Sequence, residues 1–452
     1  MSATTTPTIA SLARDLASGA TTSRKLVEDC LARIADPKGE GTRAFVSVDA
    51  EGARKAADAQ DMLRRAGAAP SPLSGIPFAI KDLADIAGQV TTAGSTALAD
   101  RASAKADAPV VARLRSAGLV IVGRANMVEF AYGGIGTNPH YGMPAAPWDR
   151  ANRHVPGGSS SGSAVAVADG MVHGALGTDT GGSCRIPAAY CGVTGLKPTA
   201  RRVPTDYVVP LSTSLDSIGP IARTVDCCAM LDGVFAGEPI SAAMPVSLKG
   251  LRLLVPTNIV LDGMDATVAA DFERTIAALA KAGAVIVKQA FKPFDAIRPV
   301  LNKGGLSAAE SYAWHKELFA SKRNQYDPRV AMRIAMGETQ TAADYIGLLQ
   351  MRKAAMAGYR LEFADFDAIL SPTCPMLPPK EADLAKDEDY TRLNMLSLRN
   401  TLMINIFDGC SIALPMSAAD APPTSLMVSC APMADRRMLG IAKAIETAIG
   451  VR

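Results

Sequence analysis

Apolar positions along the chain follow two patterns, periodic in some stretches and continuous in others, and each change marks an element. After Ser23, residues Leu26, Val27, Cys30, Leu31 and Ile34 recur at three- and four-residue intervals, which lines them along one helix face. Ser23 is placed to cap this helix, and Pro37 lies beyond its end. Gly75-Ile76-Pro77-Phe78-Ala79-Ile80 is instead an unbroken apolar run, the pattern of a buried strand, and it ends at Lys81. Residues 109–118 read as a short helix leading into the strand Leu119-Val120-Ile121-Val122, and Leu251 to Val255 reads as another strand. Residues 266–282 read as a helix feeding Ala284-Val285-Ile286-Val287, and Phe366 to Leu370 as a strand closed by Ser371-Pro372. This alternation predicts an α/β fold, a sheet covered by helices on both faces. No internal repeat is visible, so solenoids and propellers fit poorly.

Composition narrows the setting. Of 452 residues 48% are hydrophobic, enough for a large core, and no charged or Pro/Ser-rich tract interrupts them, so residues 1–452 read as a single domain. The 47 basic and 44 acidic residues are interspersed, without a basic block or basic residues interleaved with aromatics, which argues against nucleic acid as a direct ligand. Eight cysteines without a CxxC pair read as reduced, mostly buried thiols. The first residues lack a basic segment followed by an apolar one, and no apolar run is long enough to span a membrane, so the expected location is cytoplasmic with no membrane partner.

The candidate chemistry is concentrated between Gly157 and Gly195, where two loops of small residues enclose the apolar, helix-compatible stretch Ala164 to Leu176. With four histidines, no HExxH and no Cys/His cluster, no metal ligand set is available and no cofactor is expected. Hydrolysis without a metal needs an activated nucleophile, a base and donors for the developing oxyanion. The second loop, Gly177-Thr178-Asp179-Thr180-Gly181-Gly182-Ser183, sets a hydroxyl after two glycines, so the N–H groups of Thr180, Gly181, Gly182 and Ser183 can approach a carbonyl oxygen that Ser183 attacks. In the first loop Gly158-Ser159-Ser160-Ser161-Gly162 formally matches the G-x-S-x-G nucleophile elbow, with Ser160 at its centre. That reading needs a later histidine, and only His173, too close, and His315, inside a helical segment, follow. Lys81 is the base candidate, because burial at a strand end disfavours its charge and a neutral amine accepts a serine proton; its ordinary alternative is an ion pair with Asp82.

The segment PGGSSSGSAVAVADGMVHGALGTDTGGSCRIPAAYCGVTGLKPT resembles the defining stretch of the amidase signature family. The resemblance extends through GIPFAIKD, GRANMVEFAYGG, SLDSIGPIARTVDCCAML and DAILSPTCP, densely over residues 70–230 and more loosely elsewhere. It implies one α/β domain with a large mixed, twisted sheet: a mainly helical part over 1–70, the signature core over 70–230 and a variable, substrate-side part over 231–452. It also implies Ser183 as nucleophile, Ser159, after a cis peptide bond, as proton bridge, and Lys81 as base. The 24-position spacing of Ser159 and Ser183 agrees with the family pattern. Ser160, Asp179 and Arg185 then brace the loops, and Tyr132, Gly133 and Gly134 are candidates for the pocket wall.

Three features depart from the pattern: Ser161 where glycine is usual, Cys184 where an aliphatic residue is usual, and Asp408-Gly409-Cys410 with Thr424-Ser425-Leu426-Met427 in segments that could sit beside the pocket. The resemblance implies hydrolysis of a small amide, whether aryl or aliphatic, a carbamate or a urea-like compound, with a homodimer admissible. A glutaminase subunit of a transfer-RNA-dependent amidotransferase is the alternative.

Overall fold

Eleven strands are joined in one sheet among the described residues: β1 (Phe45–Val48), β2 (Pro77–Lys81), β3 (Val120–Ala125), β4 (Gly174–Thr178), β5 (Thr194–Lys197), β6 (Ile218–Ala222), β7 (Arg252–Pro256), β8 (Val285–Gln289), β9 (Ala368–Pro372), β10 (Cys410–Pro415) and β11 (Ser425–Cys430). The structure is a computed structural model and describes residues 7–418 and 420–450. Across the sheet the strands run β1-β3-β2-β4-β6-β5-β10-β11-β9-β7-β8. Parallel pairs occur at β3–β2–β4 and β9–β7–β8, and every other neighbouring pair is antiparallel, so the sheet is mixed.

The continuous apolar run of β2 has a direct cause. Successive side chains of a strand point to opposite faces, and here both faces are covered: Phe78 and Ile80 pack into one apolar cluster and Ala79 into the other. β4 divides likewise, with Leu176 on the first face and Ala175 on the second. Helices flank the sheet as expected for an α/β fold, and all eight cysteines are buried thiols.

Several boundaries differ from the expected ones. The amphipathic helix expected after Ser23 spans Ser23–Ile34, but its cap is Thr22, whose hydroxyl accepts from Lys25 N at 3.1 Å; Ser23 is buried and donates to the Gly75 carbonyl at 2.8 Å. Ser371 and Pro372 continue β9 rather than close it, because both pair with β11. The stretch Ala164–Leu176 is not one helix. The helix Ser161–Ala168 stops before Asp169-Gly170, where Gly170 takes φ +69°, and the chain re-emerges as β4.

This break positions the site. Because β2 and β4 are parallel neighbours, with Ile80 opposite Leu176, their carboxyl ends Lys81 and Thr178 emerge side by side. β6 is antiparallel to β4 with Ile218 opposite Thr178, so Asp216 and Ser217, just before β6, reach the same edge. The carboxyl ends of parallel strands are where α/β sheets hold ligands.

Candidate active site

Lys81 is fully buried, and its Nζ donates to Ser159 Oγ at 2.7 Å and to Thr178 Oγ1 at 2.8 Å. It makes no ion pair with Asp82, which instead pairs with Arg124 at 2.5 Å. Burial pulls the Lys81 ammonium down to about 7, against the opposing influence of Cys184, Asp179 and Asp216. Ser159 follows a cis Gly158–Ser159 peptide, as the resemblance implies. Its carbonyl accepts from Val128 N at 3.0 Å, and Gly158 N donates to the Gly134 carbonyl at 2.8 Å, so the first loop is held from the 128–134 segment.

The two serine loops are joined by Ser160 N donating to the Ser183 carbonyl at 3.3 Å. Ser183 is 4% exposed, and its hydroxyl makes no hydrogen bond among the described residues. The Ser160 hydroxyl lies 3.4 Å from both the N–H and the carbonyl of Thr178, so it braces one loop against the other. No histidine serves it. His173 is buried beside Cys30, His315 is buried against Tyr326, and burial lowers these imidazoles to about 4 and about 3. Ser160 therefore lacks the base that a nucleophile elbow requires.

Below the second loop lies a buried ion pair. Arg185 donates through Nη2 to Asp179 Oδ1 at 2.9 Å and through Nε to Oδ2 at 3.0 Å, both side chains being sealed from solvent. Burial opposes the Asp179 charge, but Arg185, with Lys197 and Asn405, holds the carboxyl well below the usual carboxylate range. Asp179 also accepts from Gly182 N at 2.8 Å and Cys184 N at 3.1 Å, which wraps the turn that bears Ser183 around it. This corrects one expectation: the Gly182 N–H points to Asp179 rather than to a substrate oxygen. The N–H groups of Thr180, Gly181 and Ser183 have no acceptor among the described residues.

Three bracing residues were not picked out from the sequence. Thr178 holds Lys81, Thr401 Oγ1 donates to the Gly181 carbonyl at 2.6 Å, and Asn405 Nδ2 donates to Asp179 Oδ1 at 2.9 Å. A signal existed. Asn394, Ser397, Thr401 and Asn405 form a polar stripe at helical spacing on the helix Asp387–Ile406, and all four are buried. A buried polar stripe must find partners, and the second loop supplies those of Thr401 and Asn405, while Asn394 accepts from Gly134 N.

A pocket of about 160 Å³ opens beside Thr178 and Thr180, and Ala131 contributes to its wall. Tyr132, Gly133 and Gly134 do not line this cavity. Their segment is spent on bracing: the Tyr132 carbonyl accepts from Arg333 Nη1 at 2.6 Å, and Gly134 N donates to Asn394 Oδ1 at 2.8 Å. The departures from the family pattern also lie away from this wall. Asp408 binds Ala200 N and Arg201, Thr424 Oγ1 donates to Asp271 at 2.5 Å, and Cys184 is sealed with its thiol pushed up by burial. Ser161 begins the helix Ser161–Ala168, and its buried hydroxyl has no partner among the described residues.

Residues 25–439 match the Amidase family. The chain is 38% identical to 2-amino-5-chloromuconic acid deaminase of Comamonas testosteroni, over 90% of this chain and 88% of that one. It is 34% identical to a glutamyl-tRNA(Gln) amidotransferase subunit of Chromohalobacter salexigens, over 98% and 96% of the two chains. A crystal structure of an amidase superposes with a TM-score of 0.87 at 29% identity, covering 98% of this chain and 99% of that one. The chain belongs to the amidase signature family, whose members hydrolyse C–N bonds.

Proposed function

We propose that the protein hydrolyses the C–N bond of a small amide, carbamate or urea-like compound through an acyl-enzyme on Ser183. The observation that carries this reading is Lys81: a buried amine, lowered to about 7, within 2.7 Å of Ser159 and beside the loop that bears Ser183. Neutral Lys81 takes a proton from Ser159 as Ser159 takes one from Ser183, whose oxygen adds to the carbonyl carbon. The N–H groups of Thr180, Gly181 and Ser183 receive the oxyanion; each such donor contributes about 2.7–4 kcal/mol in comparable sites. The relay then returns the proton to the leaving nitrogen, and water hydrolyses the acyl-enzyme by the same route. Asp179, with Arg185, shapes the turn and stays ionised.

A second reading, a glutaminase subunit that passes ammonia to a partner, draws on the 34% identity to the glutamyl-tRNA(Gln) amidotransferase chain. Purified protein assayed on glutamine, an aliphatic amide, an anilide, a carbamate and a urea derivative separates the two. Ser183→Ala and Lys81→Ala are expected to lower turnover by roughly 10³-fold or more, and Ser160→Ala to keep most of it. Full activity in Ser183→Ala sinks the mechanism, and turnover of glutamine alone replaces the first reading with the second.

A further inference from the structure

We propose that Asp216 selects the substrate: the pocket beside the nucleophile loop takes a short acyl group carrying an N–H donor, an ammonium or amide nitrogen, and rejects one carrying a carboxylate. This rests on the hydrolase reading above, whose acyl group it describes. The pocket wall is apolar at Leu83, Val208, Val209 and Leu211, and hydroxyl-bearing at Thr178 and Thr180. Asp216 is the one charged side chain lining it among the described residues, and no lysine, arginine or histidine does so.

The carboxylate of Asp216 is held in place and incompletely used. Oδ1 accepts from Thr180 Oγ1 at 2.5 Å, and Oδ2 accepts from Leu211 N at 2.9 Å and Ser212 N at 3.0 Å. An ionised carboxylate offers about four acceptor positions, so one remains. Asp216 forms no ion pair among the described residues. Its side chain is partly exposed, and it lines the pocket. Burial raises its carboxyl to about 6, which leaves it mostly ionised at neutral pH. A donor nitrogen entering the pocket satisfies the spare acceptor. An incoming carboxylate meets a like charge, with Glu310 adding to the repulsion, and finds no cation on the wall. The small volume restricts the acyl group to a short one.

The test uses whichever substrate class of the panel above is turned over, with the acyl end varied among three matched groups: ammonium, methyl and carboxylate. For primary amides these are β-alaninamide, butyramide and succinamate. Wild type is expected to favour the ammonium member over the methyl member by about tenfold or more in kcat/KM, and to disfavour the carboxylate. In Asp216→Asn all values fall, because Thr180 loses a charged anchor, but the ammonium-to-methyl ratio collapses towards one. A residue that only braces the loop lowers every member equally and keeps the ratio, and that outcome overturns the proposal. The wild-type comparison needs no variant: indifference to the end group, or preference for the carboxylate, overturns it while turnover abolished by Ser183→Ala keeps the hydrolase reading. Absence of turnover across every class removes both.

Discussion

At the scale of single residues, the proposed mechanism makes one lysine govern when the site works. Only the unprotonated amine of Lys81 accepts a proton, and its burial sets the midpoint at about 7. Below that value kcat/KM is expected to rise about tenfold per pH unit, and above it to level off. A pH–rate profile checks this; a flat profile through neutrality contradicts Lys81 as the base. Lys81→Arg keeps a charge that does not titrate in this range and is expected to abolish both the rise and the turnover. The sequence pattern offered Lys81 at the end of an apolar run and Ser183 after two glycines as candidates; the choice of Ser159 among three consecutive serines came from the family resemblance alone. Asp216 was not legible in that way. Its significance comes from a wall without cations, and that wall is assembled from segments distant in the chain.

At the scale of elements, the helix Asp387–Ile406 acts as a clamp on the nucleophile turn. Asn405 accepts from Arg185 at 2.6 Å and donates to both the carboxylate and the carbonyl of Asp179. Asn405→Ala leaves these sealed groups short of partners, so a loss of about 2–3 kcal/mol in stability is expected from denaturant titration, with a lower kcat and little change in KM. An unchanged denaturation midpoint would mean that the clamp is dispensable. Strands and helices with strong periodicity, such as Ser23–Ile34 and Ala266–Lys281, were readable from their patterns within a residue or two. The segment Ala164–Leu176 was not, because an apolar run sealed on all sides has no period to distinguish helix from strand. There the Asp169-Gly170 turn decides, and without it β4 would not deliver Thr178 to Lys81.

At the scale of the whole molecule, the second half of the chain reaches back to the site through Glu310 on the helix Gly305–Lys322. Its carboxylate accepts from Ser212 Oγ at 2.5 Å, Ser214 N at 3.0 Å, the Ser214 hydroxyl and Tyr345 OH at 2.8 Å, which pins the segment that carries Asp216. Arg352 adds a hydrogen bond to the Ser214 carbonyl at 2.9 Å. Glu310→Ala is expected to loosen this pocket wall, raising KM several-fold with a smaller effect on kcat; steady-state kinetics on the substrate found by the panel checks it. An equal loss in kcat at unchanged KM would place the effect at the nucleophile instead.

The chain's own pattern was enough to determine the fold class and the two small-residue loops, and the resemblance those loops carry supplied the reacting side chains proposed here. The fold class depends on local periodicity, and the loops on a concentration of small residues that is visible in the sequence itself. The tertiary structure decided which donors remain free, where the pocket lies and which helices hold it. Hydrogen-bond partners such as Asn405 and Asp179 are 226 positions apart, and nothing local specifies that they meet. The Gly182 N–H illustrates the division: its place in the turn was readable, but its direction was set by a carboxylate that Arg185 keeps charged beneath it.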